Sequence, residues 1–127
     1  MVALALTDEM IGAGGALVRK LDERGLRPDD AFWLYSSDTE QWKLVIAELR
    51  FGEQGPRETY RQIQNAIAAL DNEPIALASV TLARPDAPLV VSLRSAVRTR
   101  PGIDGIRVTN DVINGTVIED AYIYRLT

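Results

Sequence analysis

Between residues 7 and 24 apolar side chains return every three or four positions. Met10, Gly14, Leu17 and Leu21 form a central stripe, with Ile11 and Val18 on its flanks. That spacing predicts one buried face of an α-helix, and Gly25 just beyond suits the left-handed residue that commonly ends one. The period then changes. Residues 31–35 and 42–49 are aromatic and branched runs separated by the polar stretch 36–41, which predicts a β-hairpin with a longer loop. Gly55-Pro56 opens a second helix, because the first helical position has no intrahelical use for an N–H. Its stripe is Tyr60, Ile63, Ile67 and Leu70, with Arg61, Gln62 and Asn65 facing water. Residues 75–83 predict a third strand, and Asp86 is a candidate N-cap for a short helix through Val97, closed before Pro101-Gly102. Asn114-Gly115 is a strong two-residue hairpin signal joining residues 106–113 to 116–126.

The order is therefore αββαβαββ, and it predicts an α+β fold: one globular domain over residues 1–127, with a mixed five-stranded sheet flanked by helices. The path from the second strand through the second helix to the third should be a right-handed crossover between parallel strands. Two details bear on packing. Gly14 sits in the apolar stripe at a cost of about 1 kcal/mol against alanine, which a close approach to a sheet could offset. The small alternating face Ala76, Ala78, Val80 is the expected receiver. In the last hairpin a two-residue turn pairs Ile113 with Thr116 and Ile106 with Ile123. One face then carries Ile106, Val108, Val112, Val117, Ala121 and Ile123, interrupted by Asn110 opposite Glu119. Burying those polar groups without partners is costly, so a bulge or an exposed end is expected near Asn110.

Composition narrows the chemistry. The 127 residues include no histidine and no cysteine. This removes imidazole and thiolate metal sites, iron–sulfur clusters, Ser-His-Asp triads, Cys-His pairs and disulfides. Carboxylate-bound Mg²⁺ or Ca²⁺, carboxylate, tyrosine or lysine chemistry, and binding without chemistry are left. The expectation is a fold with no transition metal and no cofactor. A net charge of −4 argues against a general nucleic-acid or anionic-membrane binder. No stretch approaches the roughly 18 apolar residues of a membrane span. The apolar run at 2–6 is short and lacks a basic start, so the expected location is the cytoplasm.

Four groups of residues are candidates for function. Gly12-Ala13-Gly14-Gly15 resembles a dinucleotide-binding turn, but that turn follows a strand directly and has Gly or Ala where Leu17 stands, so helix packing is the better reading. Pro28-Asp29 followed by Glu48-Leu49-Arg50 resembles the signature of the restriction-endonuclease-like nucleases. The resemblance implies that Asp29 and Glu48 hold Mg²⁺ and that Arg50 stands where a lysine steadies the attacking water. Arginine is a poor proton partner, and Asp29 falls in the loop before a strand rather than on one. Arg94, Arg98, Arg100 and Arg107, with Arg84, make 84–107 locally basic; they are candidates for a phosphate-facing patch supported by the Gly55-Pro56-Arg57 helix start. The competing reading is that Arg98 and Arg100 complement a helix C-terminus. Trp33, Tyr35, Tyr122 and Tyr124 are candidate interface residues, since strand aromatics serve either as core or as contact surface.

Residues 32–35, 42–47, 55–60 and 118–125 together resemble a group of short bacterial proteins of unknown function that share this hairpin, a Gly-Pro-Arg helix start and a Tyr-Arg ending. The resemblance implies a bacterial intracellular protein and carries no activity. The leading expectation is a small, non-enzymatic, self-associating domain, a homodimer formed through the aromatic strand surface at 122–126. A Mg²⁺-dependent nuclease using Asp29 and Glu48 is the enzyme alternative. A phosphate or nucleic-acid binder using Arg94, Arg98, Arg100 and Arg107 is the third.

Overall fold

The computed structural model describes residues 5–47, 55–70, 75, 77–97, 99, 102–103 and 105–127. In chain order these form α1 (Asp8–Glu23), β1 (Asp30–Ser36), β2 (Gln41–Ala47), α2 (Pro56–Ala68), β3 (Val80–Ala83), α3 (Pro88–Ala96), β4 (Ile106–Ile113) and β5 (Thr116–Leu126). The five strands make one mixed sheet in the order β3-β2-β1-β5-β4. Only β2 and β3 run parallel, from Leu44 opposite Val80 to Ala47 opposite Ala83. This is the pairing expected when a helix separates two neighbouring strands.

Side-chain alternation divides the core in two. On one side Leu17 and Leu21 of α1 and Ile63 and Ala66 of α2 pack on Trp33, Leu44, Ile46 and Tyr124. On the other, Val90 and Leu93 of α3 meet Phe32, Val45, Ile118 and Ile123. The central strand β1 is buried on both faces, which explains its unbroken apolar run from Ala31 to Leu34.

Local signals set the ends of α1. Thr7 Oγ1 accepts the Met10 N–H at 3.1 Å, and Asp8 and Glu9 occupy the first turn, where negative charge complements the helix dipole. Gly25 adopts a φ of +76°, and the N–H groups of Gly25 and Leu26 close on the carbonyls of Asp22 and Leu21.

Three expectations need correction. The third strand is four residues long: Leu77–Ser79 form a 3₁₀ turn, Ala78 is exposed and Ala76 lies outside the described residues. No Ala76–Ala78–Val80 strand face therefore exists, in keeping with the weak strand preference of alanine. Gly14 packs instead on Trp33 and Tyr124. The cap of α3 is Ala87, with no side-chain bond, while Asp86 pairs with Arg84 at 3.1 Å. Pro88 decides that start: it suits the first helical turn and holds Ala87 extended, at ψ 140°. Finally, β5 lies between β1 and β4, so the terminal strand has no free edge.

Candidate functional site

Among the described residues two charged side chains are buried, Asp30 and Arg125, and both sit at the end of the sheet where β1 begins and β5 finishes. Asp30 opens β1 on the α3 side. Its Oδ2 accepts from Arg94 Nη2 at 2.5 Å, and its Oδ1 accepts the Thr127 N–H at 3.1 Å. Burial raises the Asp30 carboxyl above its ordinary value, against the lowering effect of Arg94 and Thr127. Arg94 Nη2 also reaches the Pro85 carbonyl at 3.3 Å, whereas Arg94 Nε is buried without a partner among the described residues.

Arg125 lies on the other face. Its two terminal nitrogens meet the Asp22 carboxylate of α1 at 3.1 and 2.7 Å, Nη1 also donates to the Pro28 carbonyl at 2.9 Å, and Nε donates to Gly102 at 3.1 Å. Strict alternation would send Tyr124 and Arg125 to opposite sides. The β1–β5 register slips between Ala31 and Phe32, so Ala31 pairs with Arg125 and Phe32 with Ile123. The extra residue lets both Tyr124 and Arg125 reach α1. Tyr124 donates to the Ile11 carbonyl at 2.5 Å and accepts from Trp33 Nε1 at 3.0 Å, and burial pushes its own hydroxyl strongly up in pKa.

The candidates from sequence separate on this frame. Asp29 lies beside the end of β2, its N–H on the Ala47 carbonyl at 3.0 Å; Glu48 and Arg50 lie outside the described residues. Among the described residues no group of three or more carboxylates could hold a metal ion. Arg94 and Arg107 do not share a face. Arg94 projects from α3 to Asp30, whereas Arg107 of β4 forms a paired contact with Asp120 at 2.5 and 2.6 Å and lies 5.6 Å from the Trp42 ring on the α1 side. Arg98 and Arg100 lie outside the described residues. Trp33 and Tyr124 are 1% and 2% exposed and belong to the core; Tyr35 and Tyr122 are half-buried. Of the aromatic residues expected to join two copies, Trp33 and Tyr124 are covered by α1 within one chain.

What is exposed instead is the far end of the β4–β5 hairpin. Val112 and Val117 face each other across the two strands and are 64% and 65% exposed. Sequence alternation placed both on one face with Ile106, Val108, Ala121 and Ile123. Asn110 adopts a φ of 47°, and beyond it the facing of the strands reverses. Ile106 and Val108 pack toward α3 before it, Ile113 and Ile118 after it, and the valines are turned outward. The polar interruption at Asn110 was the signal for this. Glu119, its opposite number, is satisfied by capturing Ser37 through N–H and hydroxyl at 2.9 and 2.6 Å. Ser92 to Thr116 at 3.3 Å and Asn114 to Ser95 at 2.9 Å fasten the tip to α3.

No family model matches the chain, and neither the curated proteins nor the solved structures provide a match. Among the described residues no helix is long and apolar enough to cross a membrane.

Proposed function

We propose that this chain is a small, non-enzymatic interaction domain that pairs with a second copy of itself through the β4–β5 hairpin. The observation that carries this reading is the Val112–Val117 pair: two branched side chains, adjacent across a hairpin and open to water, on a segment held firmly by α3. They lie at the end of β4, the longer of the two edge strands, whose outer backbone groups have no strand beside them among the described residues. Such an edge is a template for another strand. A two-fold axis beside β4 would bring identical edges together antiparallel and set the valines of each copy near the contact, the self-complementary arrangement of a cyclic dimer. Asn110, at φ 47°, separates an edge at 106–109 from a tip that makes side-chain contact. A bacterial cytoplasmic setting belongs to the same proposal and rests on the resemblance noted above.

The test is the mass in solution by light scattering at high micromolar concentration. The expected species has twice the 14.0 kDa of one chain. Val112→Lys combined with Val117→Lys should return a 14.0 kDa species with an unchanged circular dichroism spectrum. A wild-type protein that stays at 14.0 kDa under those conditions overturns the proposal.

A further inference from the structure

The chain contains four asparagines, and Asn114 alone is followed by glycine; Ala66, Glu73 and Asp111 follow the others. In an Asn-Gly pair the backbone nitrogen next to the side-chain amide is unhindered, because glycine has no Cβ. The fold puts this pair at the open tip of the β4–β5 hairpin, with Asn114 at φ 50°, Gly115 at φ 80° and both exposed. Ile113 and Thr116 close the turn, and the Gly115 N–H between them has no hydrogen-bond partner among the described residues. The Asn114 side chain, by contrast, is held. Its Nδ2 donates to Ser95 Oγ at 2.9 Å, and that hydroxyl donates onward to the Ser92 carbonyl at 2.7 Å. The donors run one way, from Asn114 into α3.

We propose that Asn114 is a site of spontaneous deamidation and that the Ser95 hydroxyl governs its rate. Hydroxide takes the Gly115 amide proton, the nitrogen attacks Asn114 Cγ, and the Cγ–Nδ2 bond breaks as ammonia leaves. The five-membered imide then takes up one water. Opening at Cγ leaves aspartate; opening at the backbone carbonyl leaves isoaspartate, whose main chain runs through Cβ. Attack brings Cγ onto the following nitrogen, so the side-chain amide must first leave Ser95. Neither product keeps the fastening to α3. A carboxylate only accepts, so aspartate at 114 meets the Ser95 oxygen with no proton between them. Isoaspartate lengthens a two-residue turn whose geometry is what pairs Ile113 with Thr116. Deamidation therefore loosens the tip that carries Val112 and Val117. The inference does not rest on self-association, because it concerns covalent chemistry within one chain.

The experiment ages the whole folded chain in mildly alkaline buffer and follows it by mass spectrometry with peptide mapping. The expected result is a gain of one dalton located between Ile113 and Thr116, with ammonia released and both aspartate and isoaspartate present. Asn65, exposed on α2 and followed by alanine, is the internal control and should stay intact. Ser95→Ala should deamidate about three- to tenfold faster, the worth of one neutral hydrogen bond, with no loss of melting temperature. A native chain that keeps its mass while the same chain reacts at Asn114 in urea overturns the proposal, because the fold then closes the reaction. Ser95→Ala reacting no faster than wild type, or a gain at Asn65 equal to that at Asn114, overturns it as well. Light scattering on fresh protein reads self-association separately, so either proposal can fail alone.

Discussion

At Gly14 a methyl group would press into the Tyr124 hydroxyl and stand 2.6 Å from Trp33 Nε1. The glycine is what lets α1 come down on two large aromatics whose polar atoms bond to each other and to the Ile11 carbonyl. Gly14→Ala should therefore destabilise by about 1–3 kcal/mol, the usual range for overpacking. Gly12 has nothing within 4 Å of the same added atom, so Gly12→Ala should gain up to about 1 kcal/mol of helix propensity. Urea denaturation of the two variants checks this, and equal effects would contradict the packing. A close approach at Gly14 was legible from its place in the stripe. Its partners were not, because neither the bulge at Tyr124 nor the order of the strands leaves a mark in local periodicity.

At the scale of elements, the hairpin depends on one backbone conformation. Asn110 at φ 47° occupies the left-handed region, which asparagine tolerates and branched residues resist. Asn110→Gly should be close to neutral. Asn110→Val should cost about 1–2 kcal/mol, and it should also expose Ile113 or Ile118 if the strand answers by restoring simple alternation. Thermal melts read the first effect, and protection of the Ile113 and Ile118 amides from hydrogen exchange reads the second. Full protection with no loss of stability would show that the reversal has another origin. The helices were easier to read than this turn, since Thr7, Gly25 and the Gly55-Pro56 pair act within a few residues of the ends they set.

Across the whole molecule, two ion pairs, each with one buried partner, lie at one end of the sheet and tie β5 to α1 on one face and β1 to α3 on the other. Burial holds the Asp30 carboxyl above its ordinary 3.8 even beside Arg94. A proton held more tightly in the folded state favours folding below about that value, and the contribution is lost as pH rises through the higher folded pKa. The stability of the wild type relative to Asp30→Asn should thus decline as pH rises from about 4 to 7. Denaturant midpoints of both proteins across that interval provide the measurement. A difference that grows with pH would mean that Arg94 outweighs burial.

The sequence by itself determined the order of elements, the two hairpins, the α+β class and the chemistry that a chain without histidine or cysteine forgoes. Each of these follows from composition or from interactions between residues a few positions apart. Only the tertiary structure decided which strands lie at the edges, that Trp33 and Tyr124 are core while Val112 and Val117 are surface, and that Arg94 and Arg107 stand on opposite faces. It also decided that Arg125 reaches Asp22. The facing of Arg125, Val112 and Val117 hinges on a bulge opposite Ala31–Phe32 and a left-handed residue at Asn110, each of which changes the facing of a strand. Side chains alternate with a period of two, so one irregular residue moves every later side chain to the other side, and its effect appears only when strands and helices are packed together.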